Sequence, residues 1–322
     1  MTPRPARAFR GLSVVTVAVT YLLIVWGGVV RVSGSGLGCG TRDDWPLCHG
    51  GLLPPLEQTA LIEFTHRWLA AMSTALVLGL GVYAFARYRS LRPVRRAMAV
   101  VWALFVVQIV LGAITVKLKL PGYVIMVHLA NALVLLAALV YVAVVANTSG
   151  TAHPLRARSS GRVGIIALAA AATYALVLSG ALVVANGAGG ACSAWPLCGN
   201  GFQLSAGQAA TLNIGHRVVA GLVVLLVARA LLVTRRSHPG RPGMRAATGL
   251  AGLLLVAQVG AGAALVELRL PPAARGVHLA LASALWATVV LVALLSRTGE
   301  AARTENEVAP AGSLRRRTGA VA

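Results

Sequence analysis

The chain has 322 residues, of which 57% are hydrophobic and only 11% charged, with a net charge of +21 at pH 7. That balance is too apolar for a soluble domain with a hydrated surface. The positive charge is concentrated in the connections between apolar segments, a distribution that excludes nucleic-acid binding and points to membrane lipid as the chain's surroundings.

A basic tail at 1–10 precedes an apolar run at 11–30, too long for the core of a cleaved signal peptide and read as a retained signal anchor. Further uncharged runs follow at 68–86, 97–116, 124–146, 163–185, 218–228, 246–266 and 276–296. The sixth is short because Arg217 and Arg229 bracket it, and its helix is expected over about 212–233. Lipid offers the backbone no hydrogen-bond partners, so these segments are helices. Of the 29 Lys and Arg residues, 21 lie in the two tails and in 87–96, 147–162 and 229–245. Six (Arg31, Arg42, Lys117, Lys119, Arg269 and Arg275) lie in the alternate connections. The excess predicts cytoplasmic termini and outward-facing loops after the first and fifth helices.

The fold expected is therefore all-α integral membrane, with eight transmembrane helices as two tandem pseudo-symmetric four-helix bundles and both termini cytoplasmic. The expected divisions are a tail (1–10), an N-terminal bundle (11–146), a linker (147–162), a C-terminal bundle (163–296) and a disordered basic tail (297–322).

The two halves repeat each other. Glu63, His66 and Arg67 recur as Asn213, His216 and Arg217, and His128 recurs as His278, all at an offset of 150. Gln108 and Gln258, Pro121 and Pro271, and Trp45-Pro46-Leu47-Cys48 and Trp195-Pro196-Leu197-Cys198 share that offset. Upstream it is 153, pairing Tyr21 with Tyr174, Gly27 with Gly180 and Cys39 with Cys192. Eight residues separate the cysteines in the first half and five in the second, so one loop is shorter by three.

All four cysteines fall in the long outward loops, one pair in each. An oxidising compartment favours the disulfides Cys39–Cys48 and Cys192–Cys198. Such a pair can staple a Gly-rich loop or relay electrons. The four repeated histidines are expected to begin the second, fourth, sixth and eighth helices, at matched depth near the outer leaflet. Ionisable groups inside a membrane bundle are costly and point to function. In an up-down bundle the second and fourth helices are diagonal, about 14 Å apart when adjacent axes are about 10 Å apart. That span is too wide for a small ion without further ligands, and it suits two imidazoles approaching opposite faces of a haem iron. The small residues Gly112, Ala113, Gly260 and Gly262 leave room for a flat ligand. Arg67 and Arg217 fit either haem propionates or lipid headgroups. Glu63 shares a helix face with His66 and is able to take up a proton, whereas Asn213 is not. The same carboxylate also suits a helix start electrostatically.

In combination, the two four-helix halves, the four histidines, Glu63-x-x-His66 and a cysteine pair in each long loop resemble the haem A synthase family over residues 12–296. The resemblance implies a membrane oxidoreductase that oxidises the C8 methyl group of haem O to a formyl group, in two steps through an alcohol. It implies haem b held by His216 and His278, and haem O as substrate between His66 and His128 beside Glu63. Cys39 and Cys48 match a first-loop pair that the family assigns to activity, and Cys192 and Cys198 match the second pair. It further implies contact with haem O synthase and with an electron-transfer partner, and is compatible with a homo-oligomer. Two other readings fit the pattern: a di-haem b-type electron-transfer protein such as a quinol oxidoreductase subunit, and a haem-free transporter built from parallel repeats.

Overall fold

The computed structural model describes residues 6–40, 47–89, 91–147, 161–198 and 207–308. Arg42, Trp45, Pro46, His153, most of the 147–162 linker and the tail beyond 308 lie outside the described residues. Eight helices carry the described fold: α1 (Arg7–Val32), α2 (Gln58–Arg87), α3 (Arg92–Lys117), α4 (Gly122–Asn147), α5 (Gly161–Ala185), α6 (Gln208–Ser237), α7 (Pro242–Glu267) and α8 (Pro272–Val308). Each is long and apolar enough to cross a membrane. Proline in the first turn of α3 and of α7 occupies a position where a backbone N–H has no helical partner to lose.

Three boundaries differ from the sequence expectation. α2 and α6 begin at Gln58 and Gln208, well upstream of their uncharged runs, and α8 continues to Val308. The histidines therefore do not begin their helices. His66 and His216 sit eight residues in, and His128 and His278 six. At 1.5 Å per residue that places them roughly 9–12 Å from the helix starts. The apolar criterion stopped at Glu63, Arg67 and Arg217, but those polar groups bond to one another and to the loops above, so the helices run through them. In α8 the helix passes Arg297 into the segment expected to be disordered.

Within each half the helices pack in a ring, α1–α2–α3–α4 and α5–α6–α7–α8, leaving α2 and α4, and α6 and α8, on the diagonals. The halves meet through α1, α4, α5 and α8. α4 and α8 are the central helices, with 56% and 44% of their spanning segments buried against at most 28% elsewhere. Leu133, Leu136, Ile166, Val227, Val289 and Val292 form one apolar core that is continuous between the halves.

Two features of this interface bear on the site. The Tyr21 hydroxyl on α1 donates to the Ala280 carbonyl on α8 at 3.2 Å, and Tyr174 on α5 donates to Ala130 on α4 at the same distance. Each bundle thus grips the other two residues beyond its second histidine. The α3–α4 and α7–α8 turns also repeat, with Lys119, Leu120, Arg269 and Leu270 all left-handed at φ 58–63°. Non-glycine residues resist this conformation, and the cost is offset by contact. Leu120 packs so closely on Gly36 that a Cβ there would lie 2.8 Å from its Cδ1, and Leu270 lies 3.7–3.8 Å from the corresponding positions of Gly189 and Gly190. The turns that launch α4 and α8 are thereby wedged under the long loops.

Tyr21→Phe and Tyr174→Phe should each lower stability by about 1 kcal/mol, the net worth of one hydrogen bond. Denaturant unfolding in detergent micelles reads this, and two single variants identical to the native chain would contradict the reciprocal grip.

Candidate functional site

Each of the four repeated histidines lies against a glycine on the preceding helix. A Cβ at Gly27 would sit 3.2 Å from Cε1 of His66, and one at Gly112 would sit 3.4 Å from Cε1 of His128. In the second half the distances are 3.1 Å from Gly180 to His216 and 3.2 Å from Gly262 to His278. The rings are half-buried, and glycine is what lets each helix pair close over an imidazole. Gly27 and Gly180 share the upstream repeat offset, and Gly112 and Gly262 the downstream one.

The rings are held differently in the two halves. Ser179 Oγ lies 2.8 Å from Nδ1 of His216, whereas Nδ1 of His66 is buried with no hydrogen-bond partner. The residue equivalent to Ser179 is Trp26, whose indole N–H donates to the Ile62 carbonyl at 3.0 Å. On the opposite side, the Gln108 amide nitrogen approaches Nε2 of His128 at 3.1 Å, and that of Gln258 approaches Nε2 of His278 at 3.3 Å. Asn131 orients Gln108 by donating to its Oε1 at 2.6 Å. Leu281 stands at the equivalent position, and Oε1 of Gln258 is buried without a partner.

Above the histidines, residues 63 and 213 tie the helices to the loops. Glu63 is only 3% exposed; its Oε2 accepts from the Cys39 amide at 2.9 Å, and its Oε1 accepts from Arg67 Nη2 at 2.5 Å and Nε at 3.1 Å. Arg67 also donates to the Leu47 carbonyl beside Cys48. In the second half Asn213 donates to the carbonyls of Ala188 and Gly189 at 2.9 and 3.1 Å and accepts from Arg217 Nε at 2.9 Å. Arg217 reaches on to the carbonyls of Cys192, Ala194, Pro196 and Leu197. Both guanidinium groups are thus engaged with the loops, a role that the lipid and propionate readings did not include. Glu63 is not at a helix terminus but in a buried, fully engaged position.

Both cysteine pairs are disulfides, Cys39–Cys48 with a Cα–Cα distance of 4.4 Å and Cys192–Cys198 with 4.5 Å. His49 Nε2 contacts the Gly38 carbonyl at 2.9 Å, and His238 bonds within its own helix end, so both stand apart from the repeated set. Among the described residues no three His, Cys, Asp or Glu side chains converge as a metal-ion site would require. Glu267 accepts from the backbone of Trp195 at 3.3 Å, another loop tether. The sequence reading passed over Ser179, Trp26 and Asn131. The signal for them was difference at repeat-equivalent positions, the same signal that singles out Glu63 against Asn213.

Residues 10–290 match the family model COX15-CtaA, described as cytochrome oxidase assembly protein. The haem A synthase of Symbiobacterium thermophilum is 34% identical over 80% of this chain and 85% of that one. The haem A synthase of Bacillus licheniformis is 26% identical over 82% and 88%. A Thermus thermophilus protein called protoheme IX farnesyltransferase is 33% identical over 88% of this chain, a match spanning about half of that longer protein at 48%. With most of its length matched by the family model, and with the Symbiobacterium relative above 30% identity, this chain belongs to the COX15-CtaA family of cytochrome oxidase assembly proteins.

Proposed function

We propose that this chain is a haem A synthase, oxidising the C8 methyl group of haem O to a formyl group in two successive steps. The observation that supports this most directly is the pair of diagonal histidines in each half, every ring packed on a glycine, in a chain whose relatives carry that name. Two imidazoles without a third ligand fit a metal that brings its own equatorial donors, as a porphyrin does. His216 and His278 would hold a resident haem b, which supplies one-electron transfer when bound. His66 and His128 would bind the iron of the substrate haem O. The residues above each pair tie down the outer end: Arg67 and Arg217 hold the loops to α2 and α6. Propionate contact by either arginine belongs to the same reading.

Glu63 gives the N-terminal half its chemical distinction. The two halves tether their loops with opposite polarity: Asn213 donates to two loop carbonyls, whereas Glu63 accepts from the Cys39 amide on one oxygen and from Arg67 on the other. Beside this tethering role we assign the carboxylate at 63 the acceptance of a proton during methyl oxidation, at the Oε2 oxygen now facing the Cys39 amide. The charge asymmetry of the connections supports cytoplasmic termini and an extracytoplasmic site in the cell membrane. The match within a longer protein named for farnesyl transfer to haem supports a functional partnership with the enzyme that makes haem O.

In cells that make haem O but lack their own synthase, extracted haems should include haem A or its alcohol when the native chain is expressed. Glu63→Gln should cut that product about a hundredfold or more while leaving protein and haem b in place. Haem b alone from the native chain, with haem O available, would instead support a di-haem electron carrier. Tethering is read separately, at the first disulfide. Glu63→Ala should let a membrane-impermeant phosphine reduce Cys39–Cys48 about tenfold faster through loss of a charge-assisted hydrogen bond. Glu63→Gln, which keeps one acceptor oxygen where the native chain uses two, should fall between the native and Glu63→Ala rates, and Cys192–Cys198 should be unaffected by either.

A further inference from the structure

We infer that Ser179 makes the C-terminal haem site a permanent one, and that Trp26 in its place leaves the N-terminal site exchangeable. This rests on the assignment of His216 and His66 as iron ligands. The Ser179 hydroxyl carries one hydrogen, which it donates to the Leu176 carbonyl at 2.8 Å. Its 2.8 Å contact with Nδ1 of His216 is satisfied at the same time only when the ring donates. That arrangement favours the Nδ1–H tautomer of His216, with the lone pair on Nε2, the nitrogen free to bind iron. A hydrogen-bonded Nδ1–H also makes the imidazole a more basic ligand and holds its plane.

None of this exists around His66. Trp26 offers only a donor, already spent on the Ile62 carbonyl, and Nδ1 of His66 is buried without a partner. Neither its tautomer nor its plane is set by a hydrogen bond. The opposite ligands differ in the same sense. Nε2 of His128 is occupied by the amide of Gln108, which Asn131 holds in that orientation while itself donating to the Leu104 carbonyl at 3.0 Å. Iron has to displace that bond. Nε2 of His278 faces a longer contact from Gln258, whose orientation no partner fixes. Three substitutions between equivalent positions, Trp26 for Ser179, Asn131 for Leu281 and Glu63 for Asn213, therefore divide one duplicated site into a retaining half and a turnover half.

The full-length chain purified with its resident haem supplies the test, with apomyoglobin as the haem acceptor and a redox titration beside it. Ser179→Ala should release the resident haem about tenfold faster, the loss typical when a ligand's hydrogen-bond partner is removed. Its midpoint potential should rise, because a less basic imidazole stabilises the ferric state less. Ser179→Thr, which keeps the hydroxyl, should restore both. Trp26→Ser should slow release of haem O from the N-terminal half. Native release and native potential in Ser179→Ala overturn the inference, provided His216→Ala loses the resident haem. Retention of that haem in His216→Ala overturns the ligand assignment on which it rests.

Discussion

An imidazole two turns inside a membrane helix needs room as well as a partner, and the four glycine–histidine contacts supply the room. Gly27, Gly112, Gly180 and Gly262 each let a neighbouring helix approach until a Cβ would stand 3.1–3.4 Å from the ring. Any larger residue would push the imidazole away from its place or the helices apart. The arrangement of α1 against α2 and α3 against α4, repeated in α5–α8, follows from this requirement at the site end, while the apolar core around Leu133, Leu136 and Val289 supports it lower down. Four helices per half preserve chain direction, so duplication brought all four rings to one end of the molecule.

The halves are not independent. Tyr21 and Tyr174 cross the interface in opposite senses and end two residues beyond His278 and His128, so a shift of one second histidine is felt by a helix of the other bundle. Above the rings, one architecture is carried by different chemistry: carboxylate and arginine over the first pair, amide and arginine over the second. Each anchors the first cysteine of its loop, through the Cys39 amide or the Cys192 carbonyl. The disulfides are therefore part of the covers over the two sites and are structurally continuous with residues 63 and 213.

The repeat was legible because duplication leaves identical residues at fixed offsets, and this exposed the histidines, the glutamines and the cysteines, while residue 63 stood out by its difference from Asn213. The spans were legible from apolar length alone. Helix starts were not, since an apolar-run criterion halts at Glu63 and Arg67, whose charges pair with each other along α2 and whose remaining polar atoms bond the loop backbone. Ser179 and Trp26 were marked in the sequence only as a difference at equivalent positions. A serine and a tryptophan at equivalent positions carry no message until one ring nitrogen is found bonded and the other bare. The loop partners of Arg67 and Arg217 likewise lie about 20 residues away in segments whose path the sequence pattern does not specify.

Titration of the purified chain with haem O, followed by haem-to-protein stoichiometry, tests the two-site account most directly. The account predicts one resident haem that survives purification and one further equivalent of haem O. His66→Ala or His128→Ala should abolish the second equivalent without disturbing the first. Loss of the resident haem in either of those variants, or binding of the second equivalent undiminished, would contradict the division of labour between the halves.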